Sequence, residues 1–221
     1  MHIQRSRVRN SIHRTDPINT ALRWSDPINR RPYSVPSSNS LWHLDGNLKL
    51  VRWGLTIHAA IDGYSRVMVF ARISDNNRAE TVLKHFKLAE AQHGKPSRVR
   101  CDYGGENMLV GEYMLTDRGL NRGSILTGPS IRNQRIERVW RDCSRSVIKL
   151  FIRVFTHLEE RERSFDCGDV ICLICLHYVY LARIQKMLDE WVSAWNNHPI
   201  DGCGNLTPLQ LREAGFFTAV W

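Results

Sequence analysis

Residues 41–73 read LWHLDGNLKLVRWGLTIHAAIDGYSRVMVFARI, and this stretch decides the fold class. Three apolar segments rich in β-branched and aromatic side chains lie within it, at residues 41–46, 55–62 and 67–73. Short polar connections separate these segments, as they do in antiparallel strands that follow one another in a sheet. The stretch therefore predicts a three-stranded antiparallel meander.

The residues after this meander predict alternating helices and strands. Apolar residues recur at helical spacing from about Asn76, and Gly94 with Pro96 is expected to end that helix. A strand, a weaker helix, a strand and a long helix are then predicted at residues 97–102, at 105–117, at 123–127 and from Gly128-Pro129-Ser130 onward. The order βββαβαβα predicts an α/β fold in which helices flank a mixed five-stranded sheet.

Composition divides the 221-residue chain into three predicted parts. Residues 1–40 are predicted to be a basic N-terminal arm or linker, because their seven arginines and two aspartates hold +5 of the net charge of +9. Residues 41–155 are predicted to form the core domain, and residues 156–221 a helical C-terminal extension. An amphipathic helix in this extension is expected to pack on the core.

The arm repeats one short phrase, as Asp16-Pro17-Ile18-Asn19 and again as Asp26-Pro27-Ile28-Asn29. An aspartate before proline is a helix-start or turn signal. The arm could contact DNA, belong to the end of a helical DNA-binding domain, or be a solvated linker, and the sequence leaves these alternatives open.

The charge and the cysteines indicate the class of partner and the compartment. Thirty-one lysines and arginines against 22 acids favour an anionic partner such as nucleic acid. Six cysteines without a secretory leader are expected to be reduced thiols in the cytoplasm or, preferably, the nucleus. The longest apolar run, residues 170–182, is shorter than the roughly 18 residues that span a bilayer, so no membrane partner is predicted.

The long helix after residue 128 has two predicted stripes. The apolar stripe consists of Ile136, Val139, Trp140, Cys143, Val147, Phe151 and Val154. The basic stripe contains Arg138, Arg141 and Arg145. The apolar stripe is expected to face the core, whereas the basic one could contact phosphates or only water.

Three acids on three different elements are candidates for a shared site. Asp45 is predicted to lie in the first strand on the same face as Leu41 and His43, where a carboxylate needs compensation by positive charge. Asp102 ends the fourth strand, and Glu137 lies one turn into the long helix. Carboxylates that converge repel each other unless a cation neutralises them, which favours two Mg²⁺ or Mn²⁺ ions about 4 Å apart.

Each of these acids also has an alternative interpretation. Asp45 could be a turn residue before Gly46, Asp102 could cap the turn that follows it, and Glu137 could form an i,i+4 ion pair with Arg141. Asp62 is interpreted as structural, because its Asp-Gly step makes a turn. Two further residues, Glu106 and Asn107, are expected to lie close enough to Asp102 to contact nucleic acid or metal-bound water.

Cys167, Cys172, Cys175 and His177 could suggest a zinc site. Their spacing lacks a paired Cys-x-x-Cys arrangement, and the apolar residues around them are typical of a helix core. Buried thiols are predicted instead.

Four motifs between about residues 40 and 155 resemble the catalytic core of retroviral integrases and related DDE transposases. They are Trp42-His43-Leu44-Asp45-Gly46, Ile61-Asp62-Gly63-Tyr64-Ser65-Arg66, Cys101-Asp102-Tyr103-Gly104-Gly105-Glu106-Asn107 and Asn133-Gln134-Arg135-Ile136-Glu137-Arg138-Val139-Trp140. The 34 residues between Asp102 and Glu137 match the spacing of that family. More narrowly, the chain resembles integrase-core proteins of animal genomes that are related to mobile elements.

This resemblance implies an RNase H-like fold, DNA as the partner and metal-dependent phosphodiester hydrolysis and strand transfer. Asp45, Asp102 and Glu137 would hold two Mg²⁺ or Mn²⁺ ions, Arg138, Arg141 and Arg145 would contact phosphates, and a homo-oligomer is a further expectation. Two alternatives stay open: a domesticated nucleic-acid-binding protein without turnover, and an RNase H-like nuclease that cleaves RNA in hybrids.

Overall fold

The protein, studied as a computed structural model, is described at residues 4–17, 33–129, 133–161 and 165–217. It divides into two compact units, Met1–Ser34 and Val35–Trp221. The first unit contains helix α1, Arg5–Thr15, whose described side chains are exposed to solvent. Most of the repeated Asp-Pro-Ile-Asn phrase lies outside the described residues.

The second unit is built on the predicted mixed sheet of five strands. These are β1 Trp42–Asn47, β2 Thr56–Asp62, β3 Met68–Ser74, β4 Val99–Cys101 and β5 Ile125–Thr127. The spatial order is β3-β2-β1-β4-β5; β1–β2 and β2–β3 are antiparallel, and β1–β4 and β4–β5 are parallel. The meander, the strand count and the α/β class predicted from the sequence are all confirmed.

Helices surround this sheet and continue to the C-terminal region. They are α2 Ala79–His93, α3 Met108–Arg118, α4 Gln134–Cys143, a π-helical turn Ser144–Ile148, α5 Lys149–Arg161, α6 Val170–Asn197 and α7 Pro208–Phe217. Short 3₁₀ turns lie at Val51–Trp53 and Gly105–Asn107. The prediction that Gly128-Pro129-Ser130 opens the long helix is wrong, because α4 begins only after Asn133.

Each face of the sheet packs against a different set of helices. On one face, Trp42 and Leu44 of β1 join side chains of α2 and α3, among them Phe86 and Met114. On the other face, β2 and β3 pack against the buried side chains of α4, the π-helical turn, α5 and α6. Because neighbouring residues of a strand point to opposite faces, His43 and Asp45 lie on the face that α4 covers.

The π-helical turn at Ser144–Ile148 changes which side chains of the long helix are buried. Val147 and Phe151 are buried as the apolar stripe predicts, but Val154 is only partly buried and Phe155 is fully buried instead. A π turn inserts one residue into the helical repeat and so rotates the following face. A stripe drawn at constant helical spacing cannot include this rotation.

The C-terminal half of α6 packs on the sheet, which confirms the prediction for the extension. Ile184, Leu188 and Trp191 are buried. The side-chain amide of Asn196 accepts a hydrogen bond from the backbone N–H of Met68 and donates one to its backbone carbonyl. The predicted boundary at residue 156 therefore does not separate compact units, because α6 belongs to the same unit as the sheet.

The N-terminal half of α6 differs from the prediction that its apolar residues and thiols are buried. Ile171 and Ile174 are 69% and 60% exposed, Cys175 is exposed, and Cys167 and Cys172 are only partly buried. The core covers this half mainly at Leu176. No three His, Cys, Asp or Glu side chains within the described ranges are grouped so as to hold a metal.

The apolar run at 170–182 forms the first part of α6, which continues to Asn197. Among the described helices, α6 alone is long and apolar enough to cross a membrane, as judged by length and composition. This is weak evidence for a membrane span, because core helices of water-soluble proteins satisfy the same criterion. Ile184, Leu188 and Trp191 of α6 lie in the protein core.

Candidate active site

Asp45 and Asp102 come from neighbouring parallel strands. In the register of β1 and β4, Trp42 lies beside Val99 and His43 beside Arg100. Continued by two residues, this register places Asp45 beside Asp102 at the carboxyl ends of the two strands. Ligands of α/β proteins bind at this edge of the sheet.

The surroundings of Asp45 disfavour a charged carboxylate. Burial above all, and then the nearby carboxylates of Asp102 and Glu137, raise the pKa of Asp45 to about 7. The indole N–H of Trp140 donates to Asp45 Oδ2 at 2.7 Å, and this bond, with one from the Gly46 backbone, offsets part of the shift. Both other predicted acids are therefore near enough to Asp45 to affect its ionisation.

Asp102 is held in place by the turn that follows β4. Its Oδ1 accepts from the backbone N–H of Gly104 at 3.2 Å and from the side-chain amide of Asn107 at 3.0 Å. Asp102 therefore does cap this turn, as the alternative interpretation expected, while its carboxylate stays beside Asp45. Asn107 is 4% exposed, so its side chain contacts Asp102 and not solvent.

Glu106 lies in the same turn and is partly buried. Its carboxylate rests against the α-carbon of Gly104, where a side chain would collide with it. Glu106 also raises the pKa of Cys101, although burial of that thiol is the largest cause. A fourth carboxylate thus lies close to Asp102.

Glu137 occupies the first turn of α4 and is exposed. The ion pair with Arg141, which the sequence left open, is not formed, although the structure describes both residues. Arg138, Arg141 and Arg145 are exposed as well. No acid in the described segments lies within ion-pair distance of these three arginines.

Three residues that join α4 to β1 were not among the predicted site residues. They are His43, Asn133 and Trp140. Burial lowers the pKa of His43 to about 4, so the ring is neutral at neutral pH. Their positions in the sequence could have indicated such a role. His43 lies two residues before Asp45, Asn133 lies four residues before Glu137, and Trp140 lies three residues after it.

The chemical type of the side chains at this site, carboxylates, suits a divalent metal ion. Carboxylate oxygens are the hard ligands that Mg²⁺ and Mn²⁺ prefer, and a cation would relieve the repulsion at Asp45. The carboxylates are not already gathered around one point, because the described residues contain no group of three potential ligands close enough to hold an ion. The three-acid metal site therefore stays a prediction.

A family model described as an integrase core domain matches residues 32–220 of the chain. The chain belongs to the integrase core domain family. No curated protein sequence matches this integrase core.

Solved structures share the fold of this integrase core. The HTLV-2 integrase catalytic core domain in complex with magnesium matches in its trimeric form with a TM-score of 0.54 and 14% identity, over 79% of this chain and 96% of that chain. Its dimeric form gives a TM-score of 0.50 and 14% identity, over 80% and 97%. A chain of the simian T-cell lymphotropic virus intasome in complex with PP2A regulatory subunit B56 gamma gives 0.53 and 14%, over 85% and 60%.

Proposed function

We propose that this integrase core is a polynucleotidyl transferase that hydrolyses and joins phosphodiester bonds of duplex DNA. The observation that carries the proposal is geometric: the register of two parallel strands puts Asp45 beside Asp102. Burial, and then the carboxylates of Asp102 and Glu137, raise the pKa of Asp45 at this place. A protein that only needs to be stable gains nothing from three carboxylates that repel each other. A site that binds a cation and a phosphodiester uses this repulsion.

Asp45 and Asp102 would hold divalent metal from the sheet, and Glu137 would complete the ligand set from α4. Trp140 and Asn107 would keep the two aspartates oriented through their hydrogen bonds. When bound, Mg²⁺ or Mn²⁺ supplies activation of the attacking oxygen and stabilisation of the leaving one. Magnesium is present in the HTLV-2 core structure, which supports the same choice of metal here.

Duplex DNA is the proposed partner, and the nucleus the proposed compartment. The net charge of +9 and the exposed Arg138, Arg141 and Arg145 on the helix that carries Glu137 support phosphate contacts beside the acids. Self-association is proposed as well, because the HTLV-2 integrase core has been solved in dimeric and trimeric forms.

Substitution of Asp102 tests the enzymatic part of the proposal. We expect the full chain to nick and join a labelled DNA duplex in Mg²⁺ or Mn²⁺, and Asp102→Asn to lower both rates by about 100-fold or more. Asp189→Asn is the matched control, because Asp189 is exposed and its bonds to Arg72 and Gln185 lie at the surface. This control should retain the parental rate.

Two results would contradict the proposal. If the parent binds DNA but shows no metal-dependent nicking or joining, the chain is a catalytically silent nucleic-acid-binding protein. If it cleaves an RNA–DNA hybrid and leaves duplex DNA intact, it is an RNase H-like nuclease.

A further inference from the structure

Asn133 stands at the N-cap position of α4 but does not cap the helix with its side chain. Asparagine is among the residues that cap helices best, through a side-chain oxygen that accepts an N–H of the first turn. Here the side chain leaves the helix and contacts β1 instead. The side chain of Asn133 therefore stabilises the contact between α4 and β1 and not the first turn of α4 itself.

The Asn133 amide makes two bonds to adjacent residues of β1. Its Nδ2 donates to the backbone carbonyl of Leu44 at 2.9 Å, and its Oδ1 lies 2.6 Å from Nδ1 of His43. Because the Leu44 carbonyl can only accept, the amide orientation is fixed, and His43 must donate from Nδ1. Asn133 and His43 are 2% and 0% exposed, so no water competes for these bonds.

The same asparagine also connects directly to the turn that carries Glu137. The backbone N–H of Glu137 donates to the backbone carbonyl of Asn133 at 3.3 Å. On the other side of Glu137, Trp140 donates to Asp45. Helix α4 is therefore attached to β1 one turn before Glu137 and again one turn after it.

We infer that Asn133 and His43 are positioning residues that set the distance of Glu137 from Asp45 and Asp102. This inference rests on the proposed function, since it concerns the same three acids. Neither residue is one of the three acids proposed to hold metal. They act through the helix: if their bonds are lost, the first turn of α4 is free to move away from β1, and Glu137 moves with it.

Binding of Mn²⁺ alone to the full chain tests this inference without any need for turnover. Free Mn²⁺ is measured by its electron paramagnetic resonance signal during a titration. We expect Glu137→Gln to weaken Mn²⁺ binding by about 10-fold or more, and Asn133→Ala to weaken it by a similar factor. The double variant should bind no more weakly than Glu137→Gln alone, because both changes remove the same interaction.

Asn196→Ala is the matched control for a purely structural loss. Asn196 is also a buried asparagine whose amide makes two bonds to a strand, in its case to Met68 of β3. Its replacement should lower the melting temperature while Mn²⁺ affinity stays at the parental value.

A pair of variants at His43 provides a second, independent test, which also serves if Asn133→Ala does not fold. His43→Gln retains an N–H that can donate to Asn133 Oδ1 and should keep Mn²⁺ binding close to the parental value. His43→Ala removes the donor and should weaken binding as Asn133→Ala does.

The outcomes separate this inference from the proposed function. If Glu137→Gln weakens Mn²⁺ binding but Asn133→Ala and His43→Ala behave like Asn196→Ala, positioning is wrong and the metal site stands. If the parent shows no Mn²⁺ binding that depends on Glu137, both are wrong.

Discussion

At the scale of single residues, Asp45 shows how a side chain acquires its chemistry from its surroundings. Burial, Asp102 and Glu137 raise its pKa from 3.8 to about 7. The folded protein thus binds a proton more tightly here than the unfolded chain does. Between pH 3.8 and about 7 the contribution of Asp45 to the free energy of unfolding should therefore fall as pH rises, because the folded state increasingly holds an unfavourable charge.

Replacement of Asp45 by asparagine should stabilise the protein in the absence of metal. At pH 7.5 in chelator we expect Asp45→Asn to raise the free energy of unfolding by about 1–3 kcal/mol, or the melting temperature by about 3–10 °C. The gain should shrink at pH 4.5, where the parental carboxyl is protonated. Added Mg²⁺ should raise the melting temperature of the parent and not that of the variant.

The same substitution at Asp62 should have the opposite effect. One carboxylate oxygen of Asp62 accepts from the backbone N–H of Asn39, and the other accepts from the N–H and hydroxyl of Ser65. An asparagine has only one oxygen and cannot accept all of these bonds. Asp62→Asn should therefore destabilise the fold at pH 7.5, as followed by thermal denaturation.

A destabilised Asp45→Asn variant at this pH would contradict our account of Asp45.

At the scale of secondary-structure elements, α6 combines two environments in one helix. Its C-terminal half is packed into the core at Ile184, Leu188 and Trp191, whereas Ile174 in its N-terminal half is 60% exposed. Hydropathy alone would predict the reverse, since the exposed N-terminal half is the more apolar of the two.

One substitution in each half measures this difference. Ile184→Ala removes a fully buried side chain and should lower the free energy of unfolding by about 2–4 kcal/mol in urea denaturation. Ile174→Ala should change it by no more than about 0.5 kcal/mol. Equal losses at the two positions would show that the N-terminal half is also packed, for instance in an oligomer.

The strands of the sheet could be predicted from the sequence more closely than the long helix. The meander strands begin and end within about two residues of their predicted limits, because turn residues and apolar segments mark both ends locally. The start of α4 at Gln134 and the π-helical turn at Ser144–Ile148 were not predictable. Both depend on contacts with β1 and the core, which no local pattern records.

At the scale of the whole molecule, basic residues outnumber acidic ones by 31 to 22. The net charge is +9, and Arg138, Arg141 and Arg145, on the long helix of Glu137, are exposed and form no ion pair with an acid in the described segments. Charges that contact phosphates release counterions on binding, so their contribution is visible in the salt dependence of affinity.

Joint replacement of these three arginines by glutamine should weaken DNA binding to a similar extent for different sequences. The slope of log affinity against log salt should become shallower by about 2–3, as measured by fluorescence anisotropy with a duplex. A variant with glutamine at Lys84, Arg183 and Lys186 loses the same charge from exposed sites on α2 and α6, and should keep most of the parental slope. Equal slopes in the two variants would show that net charge, and not the α4 surface, governs binding.

The sequence by itself determined the order of the elements and the mixed sheet, because strand periodicity and turn residues are local properties; it also predicted the three acids. Only the tertiary structure decided how these acids are held. The bonds that Trp140, Asn107 and Asn133 make to Asp45, Asp102 and β1 join residues from different elements or turns. The pKa of Asp45 likewise depends on burial and on two carboxylates far away in the chain, and both exist only once the helices pack on the sheet.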